Sequence, residues 1–209
     1  MNSGVTAERI YDLLKRALLS GAIAPGERLE PARFAEEFAS SVTPVRDALH
    51  RLTGERLVDA RTSDGFHLPL ATELWLRDLY SWNAALLHLA VQNSPRAPDG
   101  RRADMLAADM PRATATLFAL IGVRSTNAEH AVQIAACSDR LAAARAAEGR
   151  VLDGIDAELE AMTQAFELGP PVQLLKLVRL YHRRRVAAAP EIVRALYQTG
   201  ANNRSISDL

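Results

Sequence analysis

Cysteine is nearly missing from this 209-residue sequence, and Cys137 is the only one. An internal disulfide is excluded, and so is a zinc site of the multi-cysteine kind. The scarcity also points to a reducing, cytoplasmic location. Lysine is almost as rare, with Lys15 and Lys176 the only two among 25 basic residues. No apolar run approaches the roughly 18 residues of a membrane span, and no basic-then-apolar export signal opens the chain. An excess of one charge is lacking too: 25 Lys and Arg face 25 Asp and Glu, a formal net charge of zero. The broad basic field usual in a nucleic-acid binder is therefore not there. Gly-rich phosphate loops, Gly-x-Ser-x-Gly elbows and His-Glu-x-x-His pairs are also missing. Cys137 sits in an apolar helical run and reads as an inert buried thiol. An enzyme is not expected.

What is present is an ordinary globular composition, 48% hydrophobic and 24% charged, enough to bury a core. Its character changes near residue 70. Before that point, Ile10, Leu13, Leu14, Ala17 and Leu18 mark one face of a helix from Thr6 to Ser20. Gly21 ends it and Pro25-Gly26 makes a turn. A second short helix turns Phe34, Ala35 and Phe38 inward. A third starts at Pro44, with Thr43 as its N-cap, and runs to about Gly54. Its inner face carries Val45, Ala48, Leu49 and Leu52. Residues 57–61 and 66–68 read as strands, with Asp64-Gly65 in the turn between them. Three helices and a hairpin make a winged helix-turn-helix, which lays one helix in the DNA major groove. The third helix presents Ser41, Thr43, Arg46 and His50 outward, with Arg51 alongside. Hydroxyls and arginine forks near a helix N-terminus suit phosphates and base edges. Periodicity alone equally allows a small bundle with ordinary surface arginines.

The phrases Ala7-Glu8-Arg9-Ile10-Tyr11-Asp12-Leu13-Leu14, Gly21 to Leu29 and Thr43-Pro44-Val45-Arg46-Asp47-Ala48-Leu49 decide between the two. They resemble the DNA-binding domain of GntR-type transcriptional regulators, over residues 6–69 without a gap. The resemblance implies a bacterial regulator that binds a short palindrome as a homodimer. It places Ser41, Thr43 and Arg46 at DNA, Gly65 at the wing tip and Arg33 at a phosphate. One departure stands out: Val42 occupies the position where family members usually carry Arg. Such an arginine is worth about 1–3 kcal/mol of base discrimination, so its loss implies a changed operator, weaker contact, or compensation by Arg33 or His50.

Residues 71–200 read as an all-helical bundle, with 201–209 a flexible tail. Trp75, Leu79, Trp82, Leu86 and Leu89 form a 4-3-4-3 apolar stripe, which fits core packing or a dimer seam. Pro111 breaks or kinks the next helix. Further helices are expected over about 127–147, 150–168 and 172–188, with Pro190 opening a last short one. This order resembles the FCD ligand domain of the FadR branch of GntR regulators. Members hold a divalent metal with one Asp and three His. Here those positions fall on Thr114, Phe118, the neighbourhood of Leu159, and His182. A single imidazole cannot make a site, so no metal and no cofactor are expected. Asn83, Phe118 and His182 are the candidate effector residues, with Asn83 standing where the family carries an arginine. His182 reads either as a buried structural histidine or as a pocket residue. Arg179 and the run Arg183-Arg184-Arg185 would favour an anionic ligand if they faced it.

The expected fold is thus mainly α, with a winged helix-turn-helix over 1–70. The expected function is a dimeric DNA-binding transcriptional regulator answering to a small-molecule effector, with double-stranded DNA as partner and no membrane association. The alternative is a non-sensing DNA-binding protein whose helical part only dimerises or docks protein. Residues 1–70 hold nine Lys and Arg against ten Asp and Glu. With no broad basic field, binding would rest on a few well-placed contacts and be weak off-site.

Overall fold

A computed structural model describes residues 3–62, 64–95 and 110–202. It forms two compact units. The first gathers the chain up to Ala71 together with the described residues from Arg194 onward, and the second spans Thr72–Val193.

In the first unit, α1 (Ser3–Leu19), α2 (Pro31–Glu37) and α3 (Val42–Gly54) surround one core. Ile10 and Leu14 of α1, Phe34 of α2, and Val45, Leu49 and Leu52 of α3 are each fully buried. Each contributes roughly 1.5–3 kcal/mol by leaving water. The helix periodicity read from sequence has its cause here: the same i, i+3, i+4 positions face this core. Three strands close it: β1 (Arg28–Leu29), β2 (Asp59–Arg61) and β3 (Gly65–His67), antiparallel in the order β1-β3-β2. Gly65 pairs with Arg61 and takes φ +79°, the left-handed conformation a tight wing turn needs.

Two details of this unit differ from the sequence reading. Strand β1, too short to carry a pattern, was not expected; its Leu29 lies opposite Phe66 of β3. Helix α3 begins at Val42, so Ser41 and not Thr43 is its N-cap, and Pro44 falls within the first turn. Proline is tolerated there because the first-turn N–H groups have no intrahelical acceptor.

Both α2 and α3 end in Schellman turns. Ser40 N–H donates to Ala35 O and Ala39 N–H to Glu36 O, with Ala39 left-handed at φ 49°. Leu57 N–H donates to Leu52 O and Arg56 N–H to Thr53 O, with Arg56 at φ 60°.

The second unit contains α4 (Glu73–Gln92), α5 (Met110–Arg124), α6 (Ala128–Glu148), α7 (Ile155–Glu167), α8 (Pro171–Ala187) and the start of α9 (Ala189–Asn202). Thr72 caps α4 by accepting from Trp75 N–H, and Asn127 caps α6 by accepting from Glu129 N–H. α5 lies against α6, while α4 lies against both α6 and α8. A Cβ on Gly122 would come within 2.9 Å of the Ala131 backbone, so α5 and α6 meet at a point where only glycine fits.

The expected stripe on α4 is divided. Leu79 and Leu86 are buried, but Trp82 and Leu89 are 49% and 43% exposed. The buried face is centred instead on Leu76, Tyr80, Asn83, Leu87 and Ala90, because two polar residues belong to the core. The helix expected from residue 150 starts at Ile155; a turn with left-handed Gly154 precedes it. Pro111 is the second residue of α5, so the segment it was expected to interrupt lies outside the described residues. α9 continues to Asn202, and the rest of the 201–209 tail lies outside the described residues. No described helix is long and apolar enough to cross a membrane.

Candidate nucleic-acid interface and buried polar cluster

The outward face of α3 is built by its own period. Val45, Ala48, Leu49 and Leu52 point inward, which leaves Thr43, Arg46 and His50 in one exposed row, with Ser41 and Val42 at the helix start. The Ser41 side chain makes no capping bond. The first-turn N–H groups are thus open to an anion, and the helix dipole favours one there. Arg46 has no hydrogen bond or ion pair among the described residues. His50 sets its ring edge-on against Phe66 of the wing strand, 4.9 Å between centroids, which ties α3 to β3. Arg33 on α2 lies 3.8 Å from Glu27 and over the Phe34 ring at 5.0 Å. Gly65 opens β3 beside Arg28, which pairs with Glu30 at 2.8 Å.

Arg51 is not part of this face, contrary to the sequence reading. It turns to α1, pairs with Glu8 at 2.9 Å and lies over the Tyr11 ring at 3.6 Å. Lys15 joins the same group through Glu55 at 2.8 Å. Burial pushes the Glu55 carboxyl up, but hydrogen bonds from Lys15 and Tyr11 outweigh it and hold it below its ordinary value. Of the arginines expected at the candidate interface, Arg46 and Arg33 remain, among exposed acids such as Asp47 and Glu37.

The second unit holds a different arrangement, which sequence reasoning found only in part. Asn83, Phe118 and His182 lie on α4, α5 and α8, yet all three are buried. Phe118 stacks on His182 at 5.8 Å and meets Tyr181 edge-on at 5.3 Å. Burial lowers the His182 pKa to about 3, so the ring is neutral. Its Nδ1–H donates to Val178 O at 2.7 Å, which leaves a lone pair on Nε2. Asn83 lies 2.9 Å from Nε2 with Oδ1 nearest and Nδ2 unpartnered. Two acceptors cannot bond, so we assign the amide the turned orientation, in which Nδ2–H donates to Nε2.

Around this pair runs a charged network that local pattern did not disclose. Arg185, 2% exposed, donates to Glu148 Oε2 at 2.8 Å and to Glu158 Oε2 at 2.7 Å. Tyr80 Oη donates to Glu148 Oε1 at 2.7 Å. Burial raises the Glu148 carboxyl above its ordinary value despite Arg185, and raises the Tyr181 hydroxyl to about 12. The arginine run therefore divides: Arg185 enters the core, Arg184 bonds Asp153 O, and Arg183 lines an outer groove between α4 and α8 with Arg179. Cys137 is buried and its thiol is pushed up to about 11 by burial, too high for a nucleophile. Among the described residues no three His, Cys, Asp or Glu are grouped to hold a metal.

Residues 6–68 match the family model described as bacterial regulatory proteins, gntR family. A transcriptional regulator of Bacillus subtilis, YdhC, is 30% identical over 84 residues, 40% of this chain and 38% of that protein. The Escherichia coli transcriptional repressor GlaR is 32% identical over 101 residues, 46% of this chain and 44% of that protein. The aligned segment thus spans less than half the length of these curated relatives. The fold extends further. Escherichia coli McbR/YncC superposes with a TM-score of 0.65 over 91% of this chain and 99% of its own, at 18% identity. A GntR transcriptional regulator from Rhodococcus sp. RHA1 gives 0.71 over 90% and 98%, at 16% identity.

Proposed function

We propose, taking the first unit as a GntR-type winged helix, that this chain is a bacterial DNA-binding transcriptional regulator acting in the cytoplasm as a homodimer. The observation that carries this reading is the exposed row Thr43, Arg46 and His50 on α3, with Arg46 unpartnered beside an uncapped helix start. Thr43 and Ser41 serve phosphates or base edges, Arg46 a guanine or phosphate, Arg33 a phosphate, and Gly65 lets the wing backbone approach DNA. Two copies are needed because one recognition helix covers only a half-site. The helical unit, FCD-like in the order of its helices, supplies dimerisation and holds a small-molecule effector. An effector acts only if it binds the two spacings of the reading heads unequally.

A gel shift with DNA upstream of the chain's own gene tests the reading. Wild type is expected to bind specifically, with affinity falling steeply as salt rises. Arg46→Ala is expected to lose at least about tenfold in affinity. Equal binding by the variant would remove Arg46 from the interface, and no specific shift at all would remove the regulator reading. Thermal melting against small metabolites separates a sensing unit from one that only dimerises.

A further inference from the structure

Val42 is an apolar side chain that the core of the first unit does not use. Among the described residues from Ala7 to Gly54 it is the only large apolar one left exposed, at 37%. It is neither buried in the core cluster nor packed against its edge, as Leu13, Leu19 and Phe38 are. Helix formation does not ask for it, since α3 starts here and valine is among the weaker helix formers. A lone exposed apolar residue is ordinary on a protein surface. What sets Val42 apart is its row: Arg46 follows at i+4 and His50 at i+8, on the face proposed to read DNA.

On that face an apolar side chain has a definite counterpart. Hydrogen-bonding groups mark the base edges along the major groove, and the thymine C5-methyl is the apolar group among them. Methyls that meet there leave water together, a contact the Arg46 guanidinium cannot reproduce. The valine fork is stiff at χ1, so little side-chain freedom is lost when it docks. Arg46 lies about one helical turn further on, about 6 Å along the axis, which is the rise of roughly two base pairs. Residues 1–70 hold nine Lys and Arg against ten Asp and Glu, so base discrimination that needs no cation suits this unit.

We propose that Val42 is a specificity-determining residue, which selects a thymine in each operator half-site by packing on its C5-methyl, within about two base pairs of the position held by Arg46. This deepens the DNA-reading role of α3 and rests on the proposal that the chain is a DNA-binding regulator. Val42 supplies base choice, while Arg46 and Arg33 carry the salt-dependent attraction.

In the test, the full-length protein selects duplexes from a random-sequence pool, and the tightest one serves as the probe. Each thymine is then replaced singly by deoxyuridine, which removes the methyl and keeps the base pair. Wild type is expected to bind about fourfold more weakly for one thymine per half-site. Val42→Ala is expected to bind the parent duplex more weakly by a similar factor and to lose nothing further on that replacement, so that the two changes are coupled. Thr43→Ser, which removes the other methyl on this face, is expected to keep the sensitivity. The salt slope of Val42→Ala should equal that of wild type, because the slope counts phosphates. Sensitivity that persists in Val42→Ala, or a reduced salt slope, would overturn the assignment. So would a wild type with no methyl-sensitive thymine, a result that does not depend on any variant folding. A specific duplex without such a thymine removes Val42 and leaves the regulator reading, whereas no enriched duplex removes both.

Discussion

Among the described residues neither Arg46 nor Arg145 hydrogen-bonds an acid, and the contrast between them separates the work of the two units. Arg46 stands in water on α3, where an unpaired guanidinium stays hydrated and waits at no energetic cost. Arg145 stands in the core of a helical bundle, where the same group has lost its water and meets the Ser138 carbonyl at 3.5 Å and the Phe118 ring at 5.2 Å. A surface arginine without a partner is a common feature. A buried one needs compensation, which here comes from Glu148 within electrostatic reach, the Tyr181 hydroxyl and the Phe118 ring. The first unit thus displays its chemistry outward on a well-packed apolar core, while the second keeps its chemistry inside. The neutral net charge fits this division, since several of the chain's cations are matched by acids within each unit.

Substituting each kind of arginine by methionine gives the largest expected effect. Arg185→Met removes the cation from Glu148 and Glu158 and leaves Glu148 buried without its partner. Breaking a buried pair from one side costs about 3–5 kcal/mol. Arg46→Met should change stability by less than about 0.5 kcal/mol while DNA binding falls. Chemical denaturation of both variants checks this. Similar stabilities for the two would break the comparison, because the charged network would then carry no structural weight.

The first unit was also the more legible in sequence, and for physical reasons. Its core residues repeat at helical spacing, Asp64-Gly65 marks the wing turn, and Pro44 marks the start of α3 to within two residues. What escaped there depends on tertiary contact. β1 exists because Arg28 and Leu29 meet His67 and Phe66, and Arg51 is drawn from the DNA face by Glu8 and Tyr11 of α1. In the second unit the helices were legible but their buried faces were not. Nothing in the local pattern marks Tyr80, Arg145, Glu148 or Arg185 as core residues, since polar groups enter a core only when partners on other helices receive them. Tyr80 and Glu148 are 68 residues apart, so no local window joins them. Asn83 and Phe118 were reached only through the family resemblance, and the structure brings them into one cluster with His182.

A smaller effect sharpens the contrast through pH. His182 is neutral when folded, with a pKa near 3, and has an ordinary value of 6.5 when unfolded. Between those values the unfolded chain takes up a proton that the folded chain refuses. This contribution is therefore complete above pH 6.5 and shrinks as pH falls, by about 1.4 kcal/mol per unit in that window. Glu148, raised by burial, acts in the opposite sense, so the informative quantity is the difference between wild type and His182→Gln. Melting the two proteins at pH 7 and pH 5 should show a gap that changes with pH, while Arg46→Met keeps a constant offset from wild type. Parallel profiles for His182→Gln and wild type would mean that the imidazole is hydrated or charged in the fold.

The smallest expected effect lies in the first unit, at the turn between α2 and α3. Ala39 closes the Schellman turn in the left-handed region, at φ 49°. That conformation costs an L-residue about 1–2 kcal/mol, which glycine avoids. Glycine in turn loosens the unfolded chain by about 0.4–1 kcal/mol. The difference leaves Ala39→Gly about 0.5–1 kcal/mol more stable, which denaturant titration resolves. Operator affinity should not change, because Ser41 and Arg46 keep their positions on α3. A gain of stability with loss of DNA binding would show that the strained alanine holds the recognition helix in its working orientation. In that case the surface chemistry of the first unit would also depend on a local constraint, as the buried chemistry of the second depends on Arg185.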